Sequence, residues 1–259
     1  MNYALQIATS GLLTAMYRQD VFSNNLANMD TPGFKADVPA TRFRAAARQE
    51  DGLNFLPSNQ LLEKLGAGVH LMPNRVDFEQ GSLEITGRPL DVAVEGEGFF
   101  VLRESSSGSQ DRIRLTRDGR FARNAQGLLV SASNGMPVMG VDNRPIAVPD
   151  DAKLSISSDG VVRSGNAAVG QLSLISVADT ARLEKEGNSL FAPTADQLAS
   201  RTRGTGLIRQ GAIERSSADE VQSLMRLQSA SREVDQHVAI VQAADRMMDR
   251  AINGLGRIS

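Results

Sequence analysis

The chain has 259 residues, 41% hydrophobic and 22% charged, with a formal net charge of -2. That is enough chain for one or two globular domains, and it offers no electrostatic case for nucleic acid. There is no cysteine, which removes disulfides, thiolate metal sites and a cysteine nucleophile.

From the start, Leu5, Ala8, Leu12, Ala15, Gln19, Phe22 and Leu26 recur at steps of three and four, the period of an amphipathic helix. Ile7, Leu13, Met16 and Val21 lie off that stripe, and Arg18 and Asp20 are the only charges before Asp30. Such a helix is poorly soluble as free surface, so it is expected to be covered by other chains. The pattern stops at Asn28-Met29-Asp30-Thr31-Pro32-Gly33, where Pro32 biases Thr31 away from helix and Gly33 permits a turn. No stretch reaches the ~20 apolar residues of a membrane span. The N-terminus lacks the basic region and continuous apolar core of a secretory signal.

Residues 36–74 read as a connector. Ala36 to Arg48 suits a short helix or an extended arm, with Phe43 as its large apolar anchor. Pro57, Gly66, Gly68 and Pro73 break up the rest. Over residues 75–210 the period changes to that of strands. Leu90–Val94, Gly98–Leu102, Arg112–Thr116, Leu154–Ser157 and the alternating run Gln171–Val177 are β-type. Asp118-Gly119 and Asp159-Gly160 are expected as hairpin turns. Leu183–Gly187 suggests one helical turn with a glycine stop. This stretch is expected to be an all-β domain of short antiparallel strands.

The remaining 211–259 holds a second long helix. Ser217-Ala218-Asp219-Glu220 has the form of a capping box, and Asn253-Gly254 is a candidate stop. Between them Leu224, Leu227, Ser231, Val234, Val238, Val241, Asp245, Met248, Ile252 and Leu255 make a heptad stripe. The helix would run ~54 Å at ~1.5 Å per residue, long enough to need a partner along its length. The N-terminal helix supplies it. The fold class is therefore α+β, a coiled pair of terminal helices closing around the β insert. Met225, Ile240, Ala243, Ala244, Met247 and Ala251 lie off the stripe, and so wide an apolar surface implies further neighbours. Leu5, Leu12, Phe22 and Leu26 with Leu227, Val234, Val238, Ile240, Val241, Met247, Met248 and Ile252 are the candidate assembly interface.

Catalytic patterns are missing. Gly96-Glu97-Gly98 is a fragment of a glycine-rich loop between strands, better read as a tight turn. Asp91, Glu95 and Glu97 are the candidates for the acid pair of a glycosidase, but exposed strand carboxylates fit better. His70 and His237 have no second histidine at metal spacing, and Glu233-His237 reads as a surface i,i+4 pair. No cofactor, metal or catalytic residue is expected, and the chain is not read as an enzyme.

Several blocks then carry a resemblance. Asn24-Asn25-Leu26-Ala27-Asn28 followed by Thr31-Pro32-Gly33-Phe34-Lys35 resembles the N-terminal signature of the bacterial flagellar rod and hook protein family. Gln80-Gly81-Ser82-Leu83, Pro89-Leu90-Asp91-Val92-Ala93, Thr116-Arg117-Asp118-Gly119 and Gln210-Gly211 with Glu214 are similar to further family blocks, in family order. Ser216-Ser217 departs from the usual Ser-Asn, and Gln228–Arg232 lacks the usual aromatic. Within the family the chain is most similar to the proximal rod component, with the distal rod component second. The resemblance implies a structural subunit of the basal-body rod, crossing the periplasm as a drive shaft. It implies export by the flagellar type III apparatus without a cleaved signal, and helical stacking on rod and axial subunits through the terminal helices. The alternatives are a distal rod or hook-type subunit, a peptidoglycan-active enzyme with helical arms, and an export chaperone, which would not need the β insert.

Overall fold

The structure, a computed structural model, describes residues 3–46, 49, 52, 55, 66, 68–104, 112–149 and 154–255. It divides into two compact units. One comprises Met1–Ala27, Asp37–Arg75 and Glu220–Ser259, the other Asn28–Ala36 and Val76–Asp219.

The first unit holds the N-terminal helix, Tyr3–Ala27, and the C-terminal helix, Glu220–Leu255. They pack along one another. Gly11 meets the ring of His237 and Arg18 bonds Glu233, so the helices run antiparallel. In the N-terminal helix the stripe from Leu5 to Leu26 is buried or half-buried throughout. In the C-terminal helix the covered seam is Ser223, Leu227, Ala230, Val234, His237, Val241, Ala244 and Met248. This corrects the expected stripe at three positions. Leu224, Val238 and Asp245 are exposed, and the residue before each takes its place. Two heptad frames one residue apart share Leu227, Val234, Val241 and Met248, and the small Ser223, Ala230 and Ala244 allow close approach. The described helix ends at Leu255, next to the stop expected at Asn253-Gly254.

Strands β1 (Asp37–Phe43) and β2 (Val69–Val76) pair as a two-stranded ribbon, the extended arm. Phe43 is no anchor: it is 86% exposed at the end of β1. Pro57 lies outside the described residues.

The second unit is antiparallel β. Its short strands are β3 (Leu83–Ile85), β4 (Val92–Glu95), β5 (Phe99–Glu104), β6 (Arg112–Thr116), β7 (Phe121–Arg123) and β8 (Leu129–Ser131). β9 (Leu154–Ile156), β10 (Val161–Ser164), β11 (Ala167–Gln171), β12 (Leu174–Ser176), β13 (Glu184–Gly187) and β14 (Leu190–Ala192) follow. β15 (Thr202–Arg203), β16 (Leu207–Gln210) and β17 (Ala212–Glu214) complete it. One sheet has the order β13-β14-β6-β5-β12-β15, a second β11-β10-β9, and β16-β4, β17-β3 and β7-β8 pair separately. β5 lies between two cores, which is why it reads as a continuous apolar run. Phe100 and Leu102 join Val92, Leu129 and Leu172 on one side; Phe99 and Val101 join Leu115 and Phe191 on the other. Phe78, Phe99 and Phe191 form an aromatic trio with centroids 5.2 to 5.8 Å apart.

Local readings changed in context. Gly160, at φ +86°, turns the β9-β10 hairpin as expected. Asp118-Gly119 does not join a hairpin, because β6 pairs with β5 and β14 while β7 pairs with β8. Gly119 is needed for a close approach instead: a Cβ there would sit 1.6 Å from the Val92 carbonyl oxygen. Within the expected helical turn Leu183–Gly187, residues Glu184–Gly187 form strand β13 instead, since pairing with β14 outweighs helix propensity. The run Gln171–Val177 is split: Leu172 turns aside to bridge Gly140, so β11 and β12 enter different sheets. The short helix Ala195–Ala199 opens on a capping box formed by Thr194 and Gln197.

Candidate assembly surface and buried junction

In the first unit the two helices leave apolar side chains uncovered. Leu13 and Met16 project from the N-terminal helix, and Val221, Leu224, Met225, Ile240 and Met247 from the C-terminal one. Ile240 is 53% and Met247 65% exposed. Of the other candidate interface residues, Phe22 is buried, Val238 is exposed, and Leu5, Leu12, Leu26, Leu227, Val234, Val241 and Met248 are half-buried within the helix pair. Ile252 lies in the helix, its side chain outside the described residues. A groove of about 510 Å³ opens between the helices, lined by Gln19, Asp20 and Ser23 of one and Leu224, Leu227 and Gln228 of the other. Glu233 does not pair with His237. It bonds Arg18 across the seam at 2.9 Å, and with both side chains more than a third exposed the pair contributes at most about 1 kcal/mol. His237 turns into the seam, where the absent side chain of Gly11 leaves room for its ring.

The signature residues divide by unit. In the first, Asn25 is buried and bonds both backbone groups of Asp37, donating to the carbonyl at 2.7 Å and accepting the amide at 2.9 Å. Asn24 and Ala27 are exposed, Ala27 closing the helix. In the second unit, Asn28 accepts both the amide and the hydroxyl of Thr31. Gly33 adopts φ +66°, and Phe34 is buried.

Lys35 is the residue that sequence reasoning passed over. Its side chain is fully buried, and Nζ donates to Glu214 Oε1 at 2.6 Å and to the Glu79 carbonyl at 2.6 Å. Glu214, equally buried, accepts the Gly81 amide at 3.1 Å and faces Arg117 Nη1 at 3.4 Å. Arg117 also donates to the Gly96 carbonyl at 2.8 Å and lies over the Phe99 ring. Burial lowers the Lys35 pKa, and the Glu214 carboxylate opposes that shift. Four of the resemblance blocks thus meet at one buried ion cluster. The signal was a charged residue inside each of three otherwise apolar or turn-forming blocks.

Ser217 belongs to this junction as well. Its hydroxyl accepts from the Ala36 amide at 2.9 Å and approaches the Asp77 carbonyl at 3.4 Å, which replaces the capping-box role expected for it. The helix instead opens at Glu220. Asp91, expected as an exposed strand carboxylate, is buried and accepts the Thr86 hydroxyl at 2.7 Å. Glu95 is bound to Arg209 across β4 and β16. Among the described residues no three His, Asp or Glu side chains gather as metal ligands, and no helix is long and apolar enough to cross a membrane.

The fold and these surfaces define a class: an α+β chain whose polar cluster is buried and whose terminal helices leave apolar side chains uncovered. Comparison with known proteins narrows it. Residues 5–35 match the flagella basal body rod protein family, and residues 93–164 match the D1 domain of the flagellar hook protein FlgE/F/G family. The chain is 28% identical to the flagellar hook-basal body complex protein FlhO of Bacillus subtilis over 100% of both chains. It is 29% identical to the flagellar basal-body rod protein FlgF of Caulobacter vibrioides, again over 100% of both. To the flagellar basal-body rod protein FlgG of Agrobacterium fabrum it is 30% identical, over 94% of this chain and 96% of that one. The chain belongs to the flagellar basal-body rod protein family.

Proposed function

We propose that this chain is a structural subunit of the flagellar basal-body rod, at the proximal position, and that it stacks on neighbouring rod and axial subunits through its terminal helices. The observation that carries the assembly reading is the row of uncovered apolar side chains on both helices, Leu13 and Met16 with Val221, Leu224, Met225, Ile240 and Met247. A contact between unlike faces that does not close on itself propagates as a filament. The relatives are named as rod and hook-basal body proteins along their whole length, which supports a structural role over an enzymatic one. Residues 1–35 and 211–259 then serve as the assembly domain, 36–74 as a connector and 75–210 as the β domain. The helices coil around one another in the shaft, and the subunit reaches the periplasm through the flagellar type III apparatus without a cleaved signal. The proximal position rests on overall length, on the block Arg88–Ala93, and on Pro137-Val138-Met139-Gly140 followed by Pro145-Ile146-Ala147-Val148-Pro149, all of which resemble the proximal rod component.

The test is Ile240→Asp as the sole copy. A carboxylate desolvated in a subunit contact without a partner costs on the order of several kcal/mol. The variant is expected to keep a folded β unit yet to abolish swimming, with shortened rods in electron micrographs of basal bodies. Normal motility would exclude Ile240 from the interface.

A further inference from the structure

Residues 32–36 form neither helix nor strand, yet all five are buried within the second unit. Irregular chain survives burial only when its backbone groups find partners, and the unit supplies them one by one. Ser189 Oγ donates to the Pro32 carbonyl at 3.2 Å, the Gly33 amide donates to the Glu214 carbonyl at 2.8 Å, and the Ser217 amide donates to the Phe34 carbonyl at 3.0 Å. Lys185 Nζ donates to the Lys35 carbonyl at 2.7 Å, and the Asp77 amide to that of Ala36 at 2.8 Å. Side chains are held as specifically. The Lys185 ammonium lies 3.7 Å from the Phe34 ring centroid, and Lys35 ends on Glu214. At Gly33 a Cβ would lie 2.3 Å from the Asp118 nitrogen, so the passage admits only glycine. None of the unit's strand pairings uses residues 28–36. Among the described residues the segment is thus held by hydrogen bonds and side-chain contacts, not as a strand of a sheet.

This is how a receptor holds a linear peptide: main chain by hydrogen bonds, side chains by dedicated sites. We propose that the second unit carries a peptide-binding site whose ligand is a Pro-Gly-Phe-Lys segment, filled in this chain by its own residues 32–35. Glu214 selects the cation, Lys185 the aromatic ring, and Asp118 the glycine. When the tethered segment is spoiled, the site takes the same sequence from a separate molecule. The inference rests on the geometry of this unit alone and stands apart from the rod assignment.

The test uses the full chain carrying Gly33→Val and Lys35→Ala, with a fluorescent peptide of residues 28–36 as probe. Saturable binding at one site is expected by anisotropy. It should be at least about tenfold tighter than to the unaltered chain, whose own segment competes at an effective concentration on the order of millimolar. A peptide carrying Lys35→Glu should not bind. Absence of saturable binding, equal binding to both chains, or equal binding of the Lys35→Glu peptide would each overturn the proposal. If the double variant is recovered unfolded, the Lys35→Ala chain replaces it. The peptide must then raise that chain's urea midpoint, and an unmoved midpoint overturns the site.

Discussion

Glu214 carries two cations in a place water does not reach, so its partners cannot be removed independently. Lys35→Met leaves the carboxylate with Arg117 alone, at 3.4 Å. Breaking a buried pair in this way costs about 3–5 kcal/mol. Glu214→Ala should cost more, because it strands two buried cations rather than one anion. Urea unfolding followed through the β unit ranks the two variants, and the reverse order would refute the cluster's role. The pH dependence has a definite sign. Burial holds the Lys35 pKa below the ordinary lysine value of 10.5. Over the window running down from 10.5 the unfolded chain keeps a proton that the folded chain has released. Stability therefore rises with pH across that window. Lys35→Met should flatten the rise, which a series of urea midpoints at alkaline pH would reveal.

At the scale of elements, the two faces of the C-terminal helix make opposite predictions. Ala230 is buried in the seam, so Ala230→Leu overpacks the helix pair and should destabilise it by about 1–3 kcal/mol. Leu224 is 56% exposed, and Leu224→Ser should change the lone chain by less than about 0.5 kcal/mol. Helical circular dichroism during thermal unfolding measures both. If Leu224→Ser proved as damaging as Ala230→Leu in the isolated protein, the seam would lie where the heptad count placed it. On the proposed assembly the ranking in cells should differ, because the exposed Leu224 face would then meet neighbouring subunits.

For the whole molecule, the two units differ in how much they bury. The β unit has two apolar cores, whereas the helical unit is one antiparallel pair with a two-stranded ribbon and much uncovered apolar surface. Helix stability in proteins comes mostly from packing, so on the proposed assembly the helices would gain their full stability only in the shaft. Limited trypsin digestion of the purified chain should cut first at Arg18, Arg42, Arg44, Arg226, Arg232 and Arg246, leaving a resistant β-rich fragment. Cleavage at such sites follows the population of opened chain. Equal resistance of both units at low protein concentration would mean that the helix pair is autonomous.

The sequence by itself determined the two terminal helices, the β character between them and the family. Each rests on local period or on contiguous blocks, which need no knowledge of distant partners. Gly160 in its hairpin and Gly96 in the β4-β5 turn were legible for the same reason. The choice between heptad frames was not, because it depends on where Gly11, Ser223 and Ala230 let the helices approach. Nor could the chain announce that Asp118-Gly119 serves a close passage instead of a hairpin, since Val92 supplies the reason from another strand. Lys35, Arg117 and Glu214 lie far apart in sequence, and a charged residue reads as surface until its counter-charge is located. Only the tertiary structure could bury them together, because a low-dielectric interior accepts ions solely where opposite charge and hydrogen bonds already wait.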